Sequence, residues 1–299
     1  MELILTSKSM NVKTALLFLV LLPVCWSCKE RFDKIILTPP VAGEYFYVDT
    51  AFQGSVPAKQ EKRVLIEDFT GVKCTGCPNA QKEIVKIEAA NEGKISVISY
   101  HVTQSFAEPL PESKYNFRTT SGEHIFSLLG SAGSLPIGAI DRMKFSGEME
   151  TLISFTKWVN GTNTQLAKPS LVNIVVDSMS YDVFSRFFVM DIRITYSEVV
   201  TSSQALSIVL SESGIIDVQD GLSGKIYDYE HNHVFRKVTQ PFDGLSLEGP
   251  GVPGKTYIIK LAMRIEEDWN PENCTVTVLV HSKSATDKEV YQVMDFKVK

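Results

Sequence analysis

The chain has 299 residues, 44% of them apolar, and a formal net charge of −5. That length can bury two ordinary cores. The acidic balance gives no global basic field, so no nucleic-acid partner is expected.

The first elements read as an address. Met10-Asn11-Val12-Lys13 offers a start with a positive charge, and Ala15 to Val24 is apolar. This stretch suits a secretory signal and is too short to span a bilayer. It ends in Cys25-Trp26-Ser27-Cys28. A small residue just before a cysteine resembles a bacterial lipobox. The expectation is a lipoprotein signal peptide over residues 1–27, with palmitate-type lipidation and membrane attachment at Cys28. The alternative is an uncleaved N-terminal helix. Lys29, where an aspartate is absent, resembles lipoproteins sent on to the outer membrane, without telling the periplasmic from the surface face. Residues 28–60 form the anchor and connector. Pro39-Pro40 and Gly43 break it, and Tyr45–Val48 adds an edge strand.

A redox-capable motif follows. Val64–Thr70 is β-branched and apolar enough for a strand, Gly71-Val72-Lys73 turns the chain, and Pro78–Glu88 reads as helix. Cys74-Thr75-Gly76-Cys77 lies between, on the expected first helical turn. Two thiols at that spacing can close a small disulfide, and free N–H groups there favour a thiolate on Cys74. Lys73 adds positive charge. The order continues with a strand over Lys94–His101, a polar segment with Pro109 and Pro111, and a short helix over Glu123–Leu129. Next come a strand opened by Pro136 and a helix over Glu148–Ala167, with Leu152, Phe155, Trp158 and Val159 on one face.

This order resembles the thioredoxin fold, so an α/β thioredoxin-like domain is expected over residues 61–168. The resemblance implies that Cys74 and Cys77 are the redox pair. It implies that Pro136 is the cis proline lying against the disulfide, and that Asp68 is a buried carboxylate that relays a proton. The chain departs from the pattern at Lys73, where a tryptophan is usual, and at Thr75-Gly76. The long stretch before Pro136 implies an insertion near residues 103–130, beside the disulfide.

From Pro169 the pattern changes. Leu171–Asp177, Arg186–Tyr196, Ala205–Ser211, His233–Thr239, Thr256–Ile265, Thr275–His281 and Glu289–Val298 have strand length, separated by loops such as Gln219–Gly221 and Gly249–Gly254. An all-β antiparallel sandwich is expected over residues 169–299. Cys274 reads as a buried small hydrophobe, with a third redox partner as the alternative.

The whole arrangement resembles the Omp28-related outer membrane proteins of Gram-negative bacteria. The resemblance rests on Ser27-Cys28-Lys29, on Glu67–Gly71 leading into the CxxC, on Pro136 followed by Asp141-Arg142, and on Tyr229–Arg236. It implies an anchored envelope protein. His231 and His233, two apart, would share a strand face. They are read as structural, with a metal site as the alternative, but no third ligand can be named. His101 is read as capping a strand or helping a proton to move. No cofactor and no metal are expected. Two functions compete: a membrane-tethered thiol–disulfide oxidoreductase with a protein client or redox partner, and a non-catalytic adhesin- or receptor-type lipoprotein whose CxxC is a clasp. Exchange requires reachable sulfur atoms, with Cys74 the more exposed and activated, and Pro136 beside them; with the pair sealed from solvent or Pro136 remote, the enzymatic case collapses.

Overall fold

The computed structural model describes residues 43–299. The expected signal peptide, Cys28 and most of the connector lie outside the described residues. Those described fall in one compact unit.

The fold is β-rich. In chain order it comprises β1 (Tyr45–Gln53), β2 (Val64–Thr70), α1 (Cys77–Ala90), β3 (Ile95–His101), α2 (Gln104–Ala107), α3 (Thr120–Leu128), β4 (Ile137–Ile140) and α4 (Trp158–Leu166). Ten strands follow: β5 (Val172–Tyr181), β6 (Phe187–Tyr196), β7 (Gln204–Glu212), β8 (Ile215–Gly221), β9 (Gly224–His231), β10 (Val234–Val238), β11 (Leu245–Leu247), β12 (Lys255–Arg264), β13 (Cys274–Ser282) and β14 (Val290–Lys297).

Strand β2 is buried along its whole length. Successive side chains point to opposite faces. Val64 and Ile66 therefore pack with Ala80, Ile84 and Ile87 of α1 and Trp158 of α4. Leu65 and Phe69 pack on the other side with Ile125 and Phe126 of α3. The same alternation sends Asp68 towards α1 and Glu67 away from it. In α1, Cys77, Ala80, Ile84 and Ile87 form the buried stripe, and proline occupies the first turn, where its missing N–H costs nothing.

The main sheet runs β14-β13-β7-β10-β3-β2-β4, with β11 added on β7. Strands β2 and β3 are parallel, in register from Val64 with Ile95 to Thr70 with His101. Strand β4 is antiparallel to β2. Strand β10 pairs in parallel with β3 at Val234 and Ser99, and antiparallel with β7. Strands from both sides of residue 168 thus share one sheet. A second, antiparallel sheet, β1-β12-β6-β5, packs over its β14-β13-β7 end. Ile192, Ile194 and Ile259 meet Leu206, Ile208 and Val278 in the core between them. Strand β1 is the edge of this second sheet and runs past the four residues expected.

Two expected elements differ. The helix over Glu148–Ala167 is only α4, preceded by a short 3₁₀ turn at Phe155–Lys157. Ile153 is held out of any helix by exchanging both backbone bonds with Gly138, at 2.8 and 3.0 Å. Leu152 and Trp158 are buried while Val159 is exposed, so no single face runs through the segment. Gln219–Gly221, expected as a loop, ends β8, which pairs with β9 as a hairpin.

Candidate functional site

Cys74 and Cys77 form a disulfide, with Cα atoms 5.4 Å apart. The helix begins at Cys77, so Cys74 lies in the turn ahead of it and not on its first turn. That turn is tight: the Cys74 N–H donates to the Gly71 carbonyl (2.9 Å) and the Cys77 N–H to the Cys74 carbonyl (3.1 Å). Pro136 lies against it, after a cis Leu135–Pro136 bond. A β-carbon at Gly76 would stand 3.3 Å from Pro136 Cδ.

The exposure of the pair departs from expectation. Cys74 is 1% exposed and Cys77 2%, so Cys74 is not the more accessible sulfur. Two segments cover them. From the insertion, the Phe106 carbonyl accepts from the Lys73 N–H at 2.8 Å. A β-carbon at Gly71 would come within 2.3 Å of that carbonyl oxygen, so this approach requires glycine. From the far side, the β8–β9 hairpin brings Gln219, whose Nε2 donates to the carbonyls of Gly71 and Cys74, both at 3.1 Å. The Asp220 N–H adds a bond to the Val72 carbonyl at 2.8 Å. Lys73 turns outward to Glu108, 3.2 Å away.

A buried polar group stands behind the pair. Asp68 Oδ2 accepts from Gln81 Nε2 at 2.6 Å and from Ser99 Oγ at 3.3 Å, while Oδ1 has no partner within the protein. Burial pushes the Asp68 carboxyl up to about 7, against the lowering effect of the Gln81 and Ser99 bonds and of the His233 charge. Gln81, Ser99 and Cys77 share the wall of a small cavity with His101, His231 and Tyr229. Its volume of about 10 Å³ is close to the room a single water needs. Burial holds His101 well below the usual imidazole range and His231 down at about 4, so both rings are neutral at pH 7. Their centroids are 5.6 Å apart. Nδ1 of His101 and Nε2 of His231 have no partner within the protein.

The expected kinship of His231 and His233 fails. His231 ends β9, but His233 takes φ 58° between β9 and β10, and its ring lies 3.6 Å from Glu88. The turn between them splits the shared face. Sequence reading also missed Gln219 and the placing of His231 beside Cys77. No local pattern marks either residue, because the long path from β3 to β9 brings them in.

Glu67, Asp141 and Arg142 brace the site's frame. Arg142 donates from Nε and Nη2 to the two Glu67 oxygens, both at 2.8 Å, and both side chains are buried. Asp141 accepts from the Leu65 N–H at 2.8 Å and pairs with Lys62 at 2.7 Å. Cys274 is a free, buried thiol in the sandwich core, and burial pushes it up to about 12. Among the described residues there is no group of three metal-ligating side chains, and no helix long and apolar enough to cross a membrane.

The family model described as outer membrane protein Omp28 matches residues 127–299. Among curated proteins, none matches the chain. Among solved structures, HBP35 of Porphyromonas gingivalis superposes with a TM-score of 0.64 at 14% identity, covering 82% of this chain and 76% of its own. Protein AGR_C_4864 from Agrobacterium tumefaciens gives a TM-score of 0.49 at 14% identity, over 81% of this chain and 97% of its own.

Proposed function

Because this chain belongs to the Omp28 outer membrane protein family, we propose that it is a lipid-anchored envelope protein with a thioredoxin-like thiol–disulfide exchange site whose sealed sulfur atoms react only after the segments covering them open. In the reduced protein the Cys74 thiolate attacks a client disulfide, forming a mixed disulfide and releasing one client thiolate. Cys77 then attacks Cys74 Sγ, which restores the Cys74–Cys77 bond and releases the second client thiol. Asp68 receives the Cys77 proton through the Gln81 and Ser99 side of the cavity, and Pro136 shapes the edge where the client lies.

The carrying observation is convergence: Pro136 from one strand entry, and the Asp68–Gln81–Ser99 network from β2, α1 and β3, meet at one CxxC. A desolvated carboxylate is expensive to keep. Full-length protein in detergent should reduce insulin with a suitable reductant, and Cys74→Ser should abolish this. Cys77→Ser should trap clients as mixed disulfides in envelope extracts. Neither turnover nor trapping would refute the exchange reading.

A second reading has its own observation. The near-complete burial of Cys74 and Cys77 suits a static clasp in an adhesin- or receptor-type binding lipoprotein. It expects a reduction potential below roughly −300 mV and no trapped client. The anchor is tested separately. Labelled palmitate should enter the wild-type chain and not Cys28→Ser, and an unlabelled wild type removes the lipid.

A further inference from the structure

We propose that the β8–β9 hairpin is a gate over the disulfide and that Gln219 is its latch. This rests on the exchange reading for its use, but not for its physics. Among the described residues, β8 and β9 pair only with each other, outside both larger sheets. The outer surface of the hairpin is exposed, including Ile216, Leu222 and Tyr227. Ile215, Asp217, Val218 and Gln219 bury the inner face of β8, but a solvated outer face outside both larger sheets marks a segment that opens below the cost of global unfolding.

The attachments are of two kinds. The base is fastened firmly. Asp217 accepts from the N–H groups of Lys114, Tyr115 and Val218 at 2.8–3.0 Å. Ile215 and Val218 pack with Val72, Leu110, Phe117 and Val234 in a small core. The tip carries polar contacts over the CxxC turn: the two bonds of Gln219, the Asp220 N–H bond, and an exposed Lys225–Glu112 pair at 2.8 Å. Two positive-φ residues flank the hairpin, Gly214 at 72° and His233 at 58°, and the His233 N–H donates to Ser213 Oγ at 3.0 Å. The base is fastened inside these two positions, so the tip bends at the β-bulge between Asp217 and Gln219, where β8 shifts register against β9. Lifting the tip frees the Gly71 and Cys74 carbonyls and withdraws Gln219 from the Cys77 cavity, which opens one side of the cover over the sulfur atoms.

The gate predicts the rate at which a small dithiol reaches the disulfide. Dithiothreitol gives two electrons and two protons to Cys74–Cys77 and leaves as its own cyclic disulfide, so the protein ends as two thiols. With full-length protein in detergent, Gln219→Ala should speed this reduction roughly 10- to 30-fold, the effect of losing two ordinary hydrogen bonds from the closed state. Lys225→Glu, remote from the CxxC turn, should repel Glu112 and speed it by about 2- to 5-fold. Both rates should depend weakly on urea, as local opening does, and not with the slope of global unfolding. Unchanged rates in both variants, or a urea slope equal to that of global unfolding, would overturn the gate. Fast reduction of Gln219→Ala without insulin turnover would keep the gate and remove the exchange function.

Discussion

Glu67→Gln should lower the stability of the fold by about 3–5 kcal/mol, the cost of breaking a buried ion pair by removing one partner. The Arg142 guanidinium and the Glu67 carboxylate make two parallel bonds, both at 2.8 Å, in the interior. Tyr100 Oη adds a third bond to the same carboxylate at 3.2 Å. A glutamine keeps the shape of the side chain and loses its charge, so the guanidinium stays buried without a counter-ion. A double replacement, Glu67→Met with Arg142→Met, should recover most of the loss, because neither member then needs solvation. Asp177→Asn is the contrast. Its partner Arg193 is exposed, and such surface pairs contribute about 0–1 kcal/mol. Urea unfolding of the wild type and the three variants checks this. A loss below about 1 kcal/mol for Glu67→Gln would show that the pair does not brace β2.

Asp68→Asn should stabilise the protein by an amount that grows as pH climbs from about 4 to about 7 and is constant above that. Burial raises the Asp68 carboxyl from 3.8 to about 7. A raised carboxyl favours its neutral form in the folded state. Its contribution is therefore fully present below about pH 4 and is lost as pH climbs through about 7. At pH 8 the folded carboxylate carries a penalty on the order of 4 kcal/mol, at 1.36 kcal/mol for each unit. Asparagine never ionises, and the Gln81 amide can turn its oxygen to meet the new N–H₂ group. The variant should unfold near the wild-type midpoint at pH 4 and roughly 10 °C higher at pH 8. A difference that stays flat across that range would mean that the carboxyl titrates normally. The same variant should slow resolution of the mixed disulfide if Asp68 is the proton acceptor.

Much of the frame was legible because it is written in local patterns. The β-branched run ending at Thr70, the turn at Gly71 and the apolar stripe from Cys77 to Ile87 describe β2 and α1 without tertiary help. Most strands after residue 170 were readable from length and punctuation. The hairpin was not. Gln219-Asp220-Gly221 carries loop residues, and β9 is exposed almost throughout, so no apolar alternation betrays it. The accessibility of Cys74 could not be read either, since it depends on a side chain 145 positions away. Helical spacing over residues 148–167 misled for a related reason. Ile153 finds its partner in Gly138, a pairing that periodicity does not record.

Strand β10 wedges between β3 and β7, and the Ser99 N–H reaches the His233 carbonyl at 2.8 Å. Until residue 234 has been synthesised, β3 presents a bare margin of amides to whatever is near. Such a margin recruits stray strands. The early half therefore cannot mature on its own as the polypeptide emerges, and final assembly waits for the late half. A fragment cut at residue 168 should be sticky and poorly soluble, however regular its local pattern looks.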